Sequence, residues 1–211
     1  MERPVLYVLA GVNGAGKSSI GGYLLERAGL TWFNPDGFAR ELAAATACDQ
    51  EAANAQAWQE GIRRLDEALA ESRSYAFETT LGGQTVAAKI LDAARTHDVI
   101  IWFCGLSSVE LHIARVKARV AAGGHDIPEA KIRERYPRAL WNLINLMPHL
   151  VSLQVYDNSR EADDDGTVPD PALLLQMEGG RLVRPTRDDL KALRRTPDWA
   201  KPLLEAALKR L

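Results

Sequence analysis

Short apolar runs alternate with longer segments of helical period along this chain. Val5 to Ala10 reads as a buried strand, and Leu30 to Phe33 as a second, shorter one. Tyr75 to Phe77, Val99 to Phe103 and Leu150 to Tyr156 give a third, fourth and fifth. Between them, Trp58, Ile62, Leu65 and Leu69 repeat at helical spacing. So do Val109, Ile113, Val116 and Val120, and then Ile132, Tyr136, Leu140, Leu143 and Met147. A further helix is expected over Thr85 to Arg95. Strands separated by helices predict an α/β fold, with a mostly parallel sheet between two helical layers.

The tail has a different texture. Glu161 to Pro171 holds four aspartates, two prolines and a glycine, and reads as a loop. Leu173 to Met177 and Arg181 to Val183, joined through Glu178-Gly179-Gly180, predict a hairpin. Thr186 is expected to start a helix with Asp188 and Asp189 in its first turn, and Pro197 to open a last one. Leu203, Leu204, Ala207 and Leu211 would form the inner face of that last helix. No repeat or low-complexity segment is visible. The expectation is one domain over 1–211: a core over 1–159 with a helical lid at about 108–147, then a loop, hairpin and helices over 160–211.

Composition changes the picture by exclusion. The 211 residues are 46% hydrophobic and 26% charged, enough to bury a core. The net charge of -2 argues against a general nucleic-acid binder. Cys48 and Cys104 are too few for a disulfide framework or a structural zinc site. The apolar runs are too short to cross a bilayer and no secretory signal is visible, so a cytoplasmic protein without membrane partners is expected.

The chemistry starts at residues 11–18, GVNGAGKS, which fit G-x-x-x-x-G-K-[ST] between a predicted strand and a predicted helix. Gly11, Gly14 and Gly16 allow a backbone that closes on a phosphate. The amides around Asn13, Ala15, Lys17, Ser18 and Ser19 then cradle the anion. Lys17 supplies a charge for the β- and γ-phosphates, and the Ser18 hydroxyl is a ligand for Mg²⁺. ATP (or GTP) is therefore the expected nucleotide.

Phosphoryl transfer also needs a carboxylate beside the acceptor hydroxyl. Asp36 follows the second predicted strand in Asn34-Pro35-Asp36, and Glu78 follows the third in Glu78-Thr79-Thr80. The plain alternatives are a helix N-cap for Asp36 and a loop charge for Glu78. His112, Arg115 and Arg119 share one helical stripe, and Lys131, Arg135, Arg138 and Asn142 form another after the Gly123-Gly124 break and His125. Two arginine faces joined by a glycine hinge suit a lid over a triphosphate, although such stripes can also be solvated surface. Residues 81–85, LGGQT, approach the LSGGQ signature of ABC-type ATPases. The next apolar strand carries no acidic residue at its end, which leaves a glycine-rich turn as the better reading.

In order, GVNGAGKSS, NPD at 34–36, FETT at 77–80, ARVKARV at 114–120, GGHDIP at 123–128, IRERYPRALWNL at 132–143 and YDNS at 156–159 resemble the zeta-toxin family of P-loop kinases. The likeness is to its short bacterial members, described as predicted ABC-type ATPases, and covers roughly residues 5 to 159. The resemblance implies Mg-ATP- or GTP-dependent phosphorylation of a UDP-activated amino sugar, typically UDP-N-acetylglucosamine, at its 3′-hydroxyl. It implies Asp36 as general base, Glu78 with Asn34, Thr79 and Thr80 at the acceptor, Arg115 on phosphate, and Asn158 beside the nucleotide. It also implies an antitoxin protein as partner. Longer toxins carry a second phosphate-binding arginine near where this chain has His125, and Arg119, Arg135 or Arg138 are the substitutes at hand. The stretch Asp36 to Ser72 is the candidate wall of an acceptor site. A kinase for another small hydroxyl compound, and a nucleotide-dependent binding module with slow hydrolysis, are the alternatives.

Overall fold

The computed structural model describes residues 3–18, 21, 25, 29–46, 48–160 and 169–209. Ser19, Leu211 and residues 161–168 of the acidic loop lie outside the described residues. Six strands form one sheet: β1 (Val5–Ala10), β2 (Tyr75–Thr79), β3 (Asp98–Gly105), β4 (Ser152–Asp157), β5 (Ala172–Glu178) and β6 (Arg181–Arg184), in the order β2-β1-β3-β4-β5-β6. The first four are parallel, and the hairpin β5–β6 adds antiparallel to β4. The helices are α1 (Pro35–Thr46), α2 (Gln50–Ala70), α3 (Gln84–Ala93), α4 (Val109–Ala121), α5 (Glu129–Leu146), α6 (Leu190–Arg195) and α7 (Lys201–Leu208). Lys17, Ser18, Gly21 and Leu25 are helical as well. This is a three-layer α/β P-loop NTPase fold with flanking helices.

Alternation along the strands divides the interior. Leu6, Val8 and Ala10 of β1, Val99, Ile101 and Phe103 of β3, and Leu153 and Val155 of β4 share one face. They pack with Ile90 of α3, Ile132 and Leu143 of α5, and Leu203 and Leu204 of α7. On the other face Leu9 meets Gly21, where an added Cβ would lie 2.0 Å from the Leu9 side chain. Among the described residues no helix is long and apolar enough to cross a membrane.

Two expectations change. Leu30 to Phe33 is not a strand: only Phe33 bridges, to Phe77, through Phe33 N to Ala76 O and Glu78 N to Phe33 O at 2.9 Å each. Asn34 and Pro35 then turn the chain into α1, so the ladder stops after one residue. The tail helix begins at Leu190 rather than Thr186, because Asp189 caps it by accepting from Ala192 N at 2.9 Å.

The C-terminal segment is part of the same core. Trp199 covers the end of β3, and a Cβ on Gly105 would stand 2.3 Å from its ring. Gly105→Ala is therefore expected to cost about 1–3 kcal/mol by overpacking. The urea midpoint reads this. An unchanged midpoint would contradict it, and adding Trp199→Leu should recover most of the loss.

Candidate active site

The loop after β1 is clamped from four sides. Gly11, Gly14 and Gly16 have φ of +144°, +83° and +84°, in the region side chains rarely enter. A Cβ on Gly11 would lie 2.2 Å from Cys104 O, and one on Gly16 2.4 Å from the Asn158 amide. The Ala15 carbonyl accepts from Asn158 Nδ2 at 2.9 Å and from Cys104 Sγ at 3.0 Å. Burial raises the Cys104 thiol to about 12, which keeps it a donor. Asn13 is buried; its Oδ1 accepts from Arg135 Nη1 at 2.8 Å. Burial pulls the Arg135 pKa down, opposed by the charge of Asp36.

His112 supplies the fourth clamp and is not a solvated stripe residue. It is buried, and its Nδ1 lies 2.8 Å from the Asn13 carbonyl, so the proton sits on Nδ1. Burial pushes its pKa down to about 4. The unfolded chain binds a proton on this ring below about 6.5, which the folded state refuses until about 4. Stability therefore falls as pH drops through that window, by about 2 kcal/mol between pH 7 and pH 5. His112→Asn keeps a donor but not the titration, so urea midpoints at the two pH values should differ less in it. An equal fall in both proteins would refute the assignment.

Lys17 and Glu78 are both nearly inaccessible and pair at 3.4 Å. The second Glu78 oxygen accepts from Ser18 Oγ at 3.1 Å and Asn34 Nδ2 at 3.2 Å. Glu78 thus grips the phosphate loop with both oxygens. Among the described residues no three His, Cys, Asp or Glu side chains gather as a metal site. Mg²⁺ is usually held by one or two protein oxygens plus phosphates and water, and the Ser18 hydroxyl with Glu78 behind it fits that pattern.

Asp36 stands in the first turn of α1 but does not cap it. Asn34 does, its Oδ1 accepting from Gly37 N at 3.0 Å. This disposes of the plain reading of Asp36. Two clefts meet at its carboxylate. One, of about 200 Å³, runs between the phosphate loop and α2, with Lys17, Phe33, Trp58, Ile62, Phe77 and Arg135 among its walls. Glu78, Thr79 and Thr80 also line it. The other, of about 360 Å³, is bounded by Ser18, Asn34, Arg40, Arg119 and His125. Asp36 Oδ1 lies 3.7 Å from His125 Nε2, and Oδ2 lies 4.0 Å from Arg119 Nη1.

The remaining candidates scatter. Arg115 donates to Arg160 O at 3.1 Å, close in sequence to Asn158. Arg138 is exposed and pairs with Glu134 on its own helix, lining neither cleft. Asn142 is buried and donates to Leu81 O at 2.8 Å, pinning the turn after Glu78. That turn is the LGGQ segment. An added Cβ on its Gly82 would lie 2.6 Å from the Arg135 side chain, so the glycine lets α5 approach. Sequence reasoning singled out neither Arg40 nor Asn54, and placed Trp58 and Ile62 on a helical repeat within the stretch Asp36 to Ser72 expected to wall an acceptor site. Trp58 is 51% exposed, while Ala53, Ala57, Leu65 and Ala68 are the buried residues of α2. The helical glycine Gly61 was the available signal: a Cβ there would lie 2.9 Å from the Phe33 ring in the cleft wall.

A family model described as an AAA domain matches residues 6–136, from β1 into α5. The chain belongs to this AAA-domain family. The family is broader than the zeta-toxin group that the motifs resemble. An uncharacterized protein of Haemophilus influenzae is 26% identical over 144 residues, 64% of this chain and all of that one. A chain of the crystal structure of AvrRxo1-ORF1:-ORF2 with ATP superposes with a TM-score of 0.63 at 15% identity. The match covers 97% of this AAA-domain chain, which spans only 64% of that one. A chain of the Pnkp1/Rnl/Hen1 RNA repair complex gives 0.52 at 18% identity, covering 69% of this chain and 47% of its own. A chain of the PezAT chromosomal toxin-antitoxin system of Streptococcus pneumoniae gives 0.51 at 12% identity, covering 81% and 72%. At these identities the likeness is one of fold, an α/β P-loop NTPase fold.

Proposed function

We propose that the protein is a small-molecule kinase that moves the γ-phosphate of Mg-bound ATP (or GTP) to an acceptor hydroxyl. The observation that carries this is Asp36: a carboxylate with no capping duty, at the junction of two clefts beside the phosphate loop. The loop amides and Lys17 hold the triphosphate, and Ser18 ligates the metal with Glu78 behind it. Magnesium, when bound, neutralises charge on the β- and γ-phosphates. Asp36 orients the acceptor hydroxyl and takes its proton as the oxygen attacks phosphorus. Arg115 offsets charge on the transferring group, Arg119 lines the cleft beside Asp36, and Asn158 holds the loop's Ala15 carbonyl in place. Arg135 closes the acceptor side through Asn13.

The acceptor proposed is a UDP-activated amino sugar of the UDP-N-acetylglucosamine kind, on the motifs that resemble zeta toxins. An antitoxin protein is the proposed partner, in the cytoplasm; the PezAT toxin-antitoxin system among the similar folds supports that reading. Incubation with Mg-ATP and UDP-N-acetylglucosamine, followed by mass spectrometry, tests it. A phosphorylated UDP-sugar made by the parent and not by Asp36→Asn is the expected result. ATP turnover without that product would discard the acceptor. A phosphorylated species from a metabolite extract would then identify the true one, and no phosphorylated species at all would discard the kinase.

A further inference from the structure

The cleft on the α4 side of Asp36 holds more cationic donors than the phosphate loop needs. His125 has a side chain 9% exposed, and its Nε2 has no hydrogen-bond partner. Arg119 Nε is also buried without a partner. Buried donors are normally satisfied, and leaving one empty costs about 1–3 kcal/mol. Asp36 does not satisfy them: Oδ1 lies 3.7 Å from His125 Nε2, beyond hydrogen-bonding reach, and Oδ2 faces Arg119 Nη1 at 4.0 Å rather than its Nε. Arg40 of α1 lines the same cleft. Arg119 also donates through Nη2 to the His125 backbone carbonyl at 3.0 Å, which ties the arginine side chain to the main chain at His125.

We infer that this cleft is an oxyanion subsite for the acceptor, served directly by His125, Arg119 and Arg40. The inference rests on the kinase reading and deepens it: whatever hydroxyl compound is the acceptor, it bears a phosphate or carboxylate group, as a UDP-sugar does in its diphosphate, and these three side chains hold that group. The γ-phosphate has its own seat at the loop amides, Lys17 and Ser18, and about 360 Å³ is several times the room that one water-sized group needs. The cleft places Asp36 beside the cations. A ligand offering a hydroxyl to Asp36 and an oxyanion to Arg119 and His125 answers both at once. A neutral sugar or nucleoside would leave the buried donors unmet. The charges facing His125 are Asp36 and Arg40 from α1, Arg119 from α4, and its neighbour Asp126. Burial lowers its pKa and Asp36 opposes this. The neutral ring still donates through one nitrogen, and an anion in the cleft favours protonation of the other.

The test fills the γ-phosphate seat first. The chain is saturated with a Mg-bound, non-hydrolysable ATP analogue, and inorganic phosphate is then titrated while the imidazole NMR signals are followed. The chain has four histidines, and His125→Gln identifies the relevant signal. A saturable shift of the His125 signal with phosphate, weakened about tenfold or more by Arg40→Gln, is expected. If the analogue alone moves the signal and phosphate adds nothing, the cleft belongs to the γ-phosphate and the inference falls. If neither moves it, there is no anion subsite. Nucleotide binding is read independently, from the melting temperature with and without the analogue, so failure of the kinase reading shows there and not at His125.

Discussion

Asp36→Asn is expected to lower phosphate transfer by about 100- to 10,000-fold, the range for removing a general base. ATP affinity should stay within a few-fold of the parent, because none of the loop contacts runs through Asp36. The amide keeps the size of the side chain and cannot take a proton. Arg119 and His125 already stand too far from Asp36 to depend on it for hydrogen bonds, so the fold should be indifferent to the change. Calorimetric titration with an ATP analogue and the rate of phosphorylated product give the two readouts. Transfer near the parental rate would remove Asp36 from the mechanism, and a large loss of nucleotide affinity would make its role one of binding.

Lys17→Ala should damage both chemistry and fold. Turnover is expected to fall by about 100- to 1,000-fold, comparable to removing one preorganised donor from a developing anion. Glu78 would also keep a buried charge without its cation, and breaking such a pair from one side costs about 3–5 kcal/mol. The two losses separate in the double variant Lys17→Ala/Glu78→Gln. It should regain much of the stability in urea and none of the turnover. Recovery of turnover would mean that Lys17 matters only as the partner of Glu78.

The parts of this site that were legible in the sequence are those written in local order. GVNGAGKS needs only its own glycines and the strand before it, and the apolar runs at 99–103 and 150–156 needed only their neighbours to be placed. Distance in the chain hides the rest. Nothing local marks His112 as the holder of Asn13, 99 positions away, since a helical histidine beside arginines reads as surface. Arg135 to Asn13 spans 122 positions, and Arg138, one turn further along, carries the same local signal yet faces outward. Leu30 to Phe33 failed in the opposite sense: its composition is that of a strand, but Asn34 and Pro35 commit the backbone to a helix cap after a single bridge. On α2 the apolar repeat divides: Leu65 is buried with Ala53, Ala57 and Ala68, whereas Trp58 lines the cleft between the phosphate loop and α2.

The seat of Trp199 on Gly105 bears on how the molecule comes into being. Asn158 donates its backbone N–H to Gly105 O at 3.1 Å and its side chain to the phosphate loop, so the point that Trp199 covers is one residue from a strut of that loop. Leu203, Leu204 and Ala207 share the core with the first strand. Synthesis runs from the N-terminus, so the loop residues emerge well before residues 199–207. A nascent chain therefore carries the whole phosphate-binding sequence long before it has the packing that fixes it.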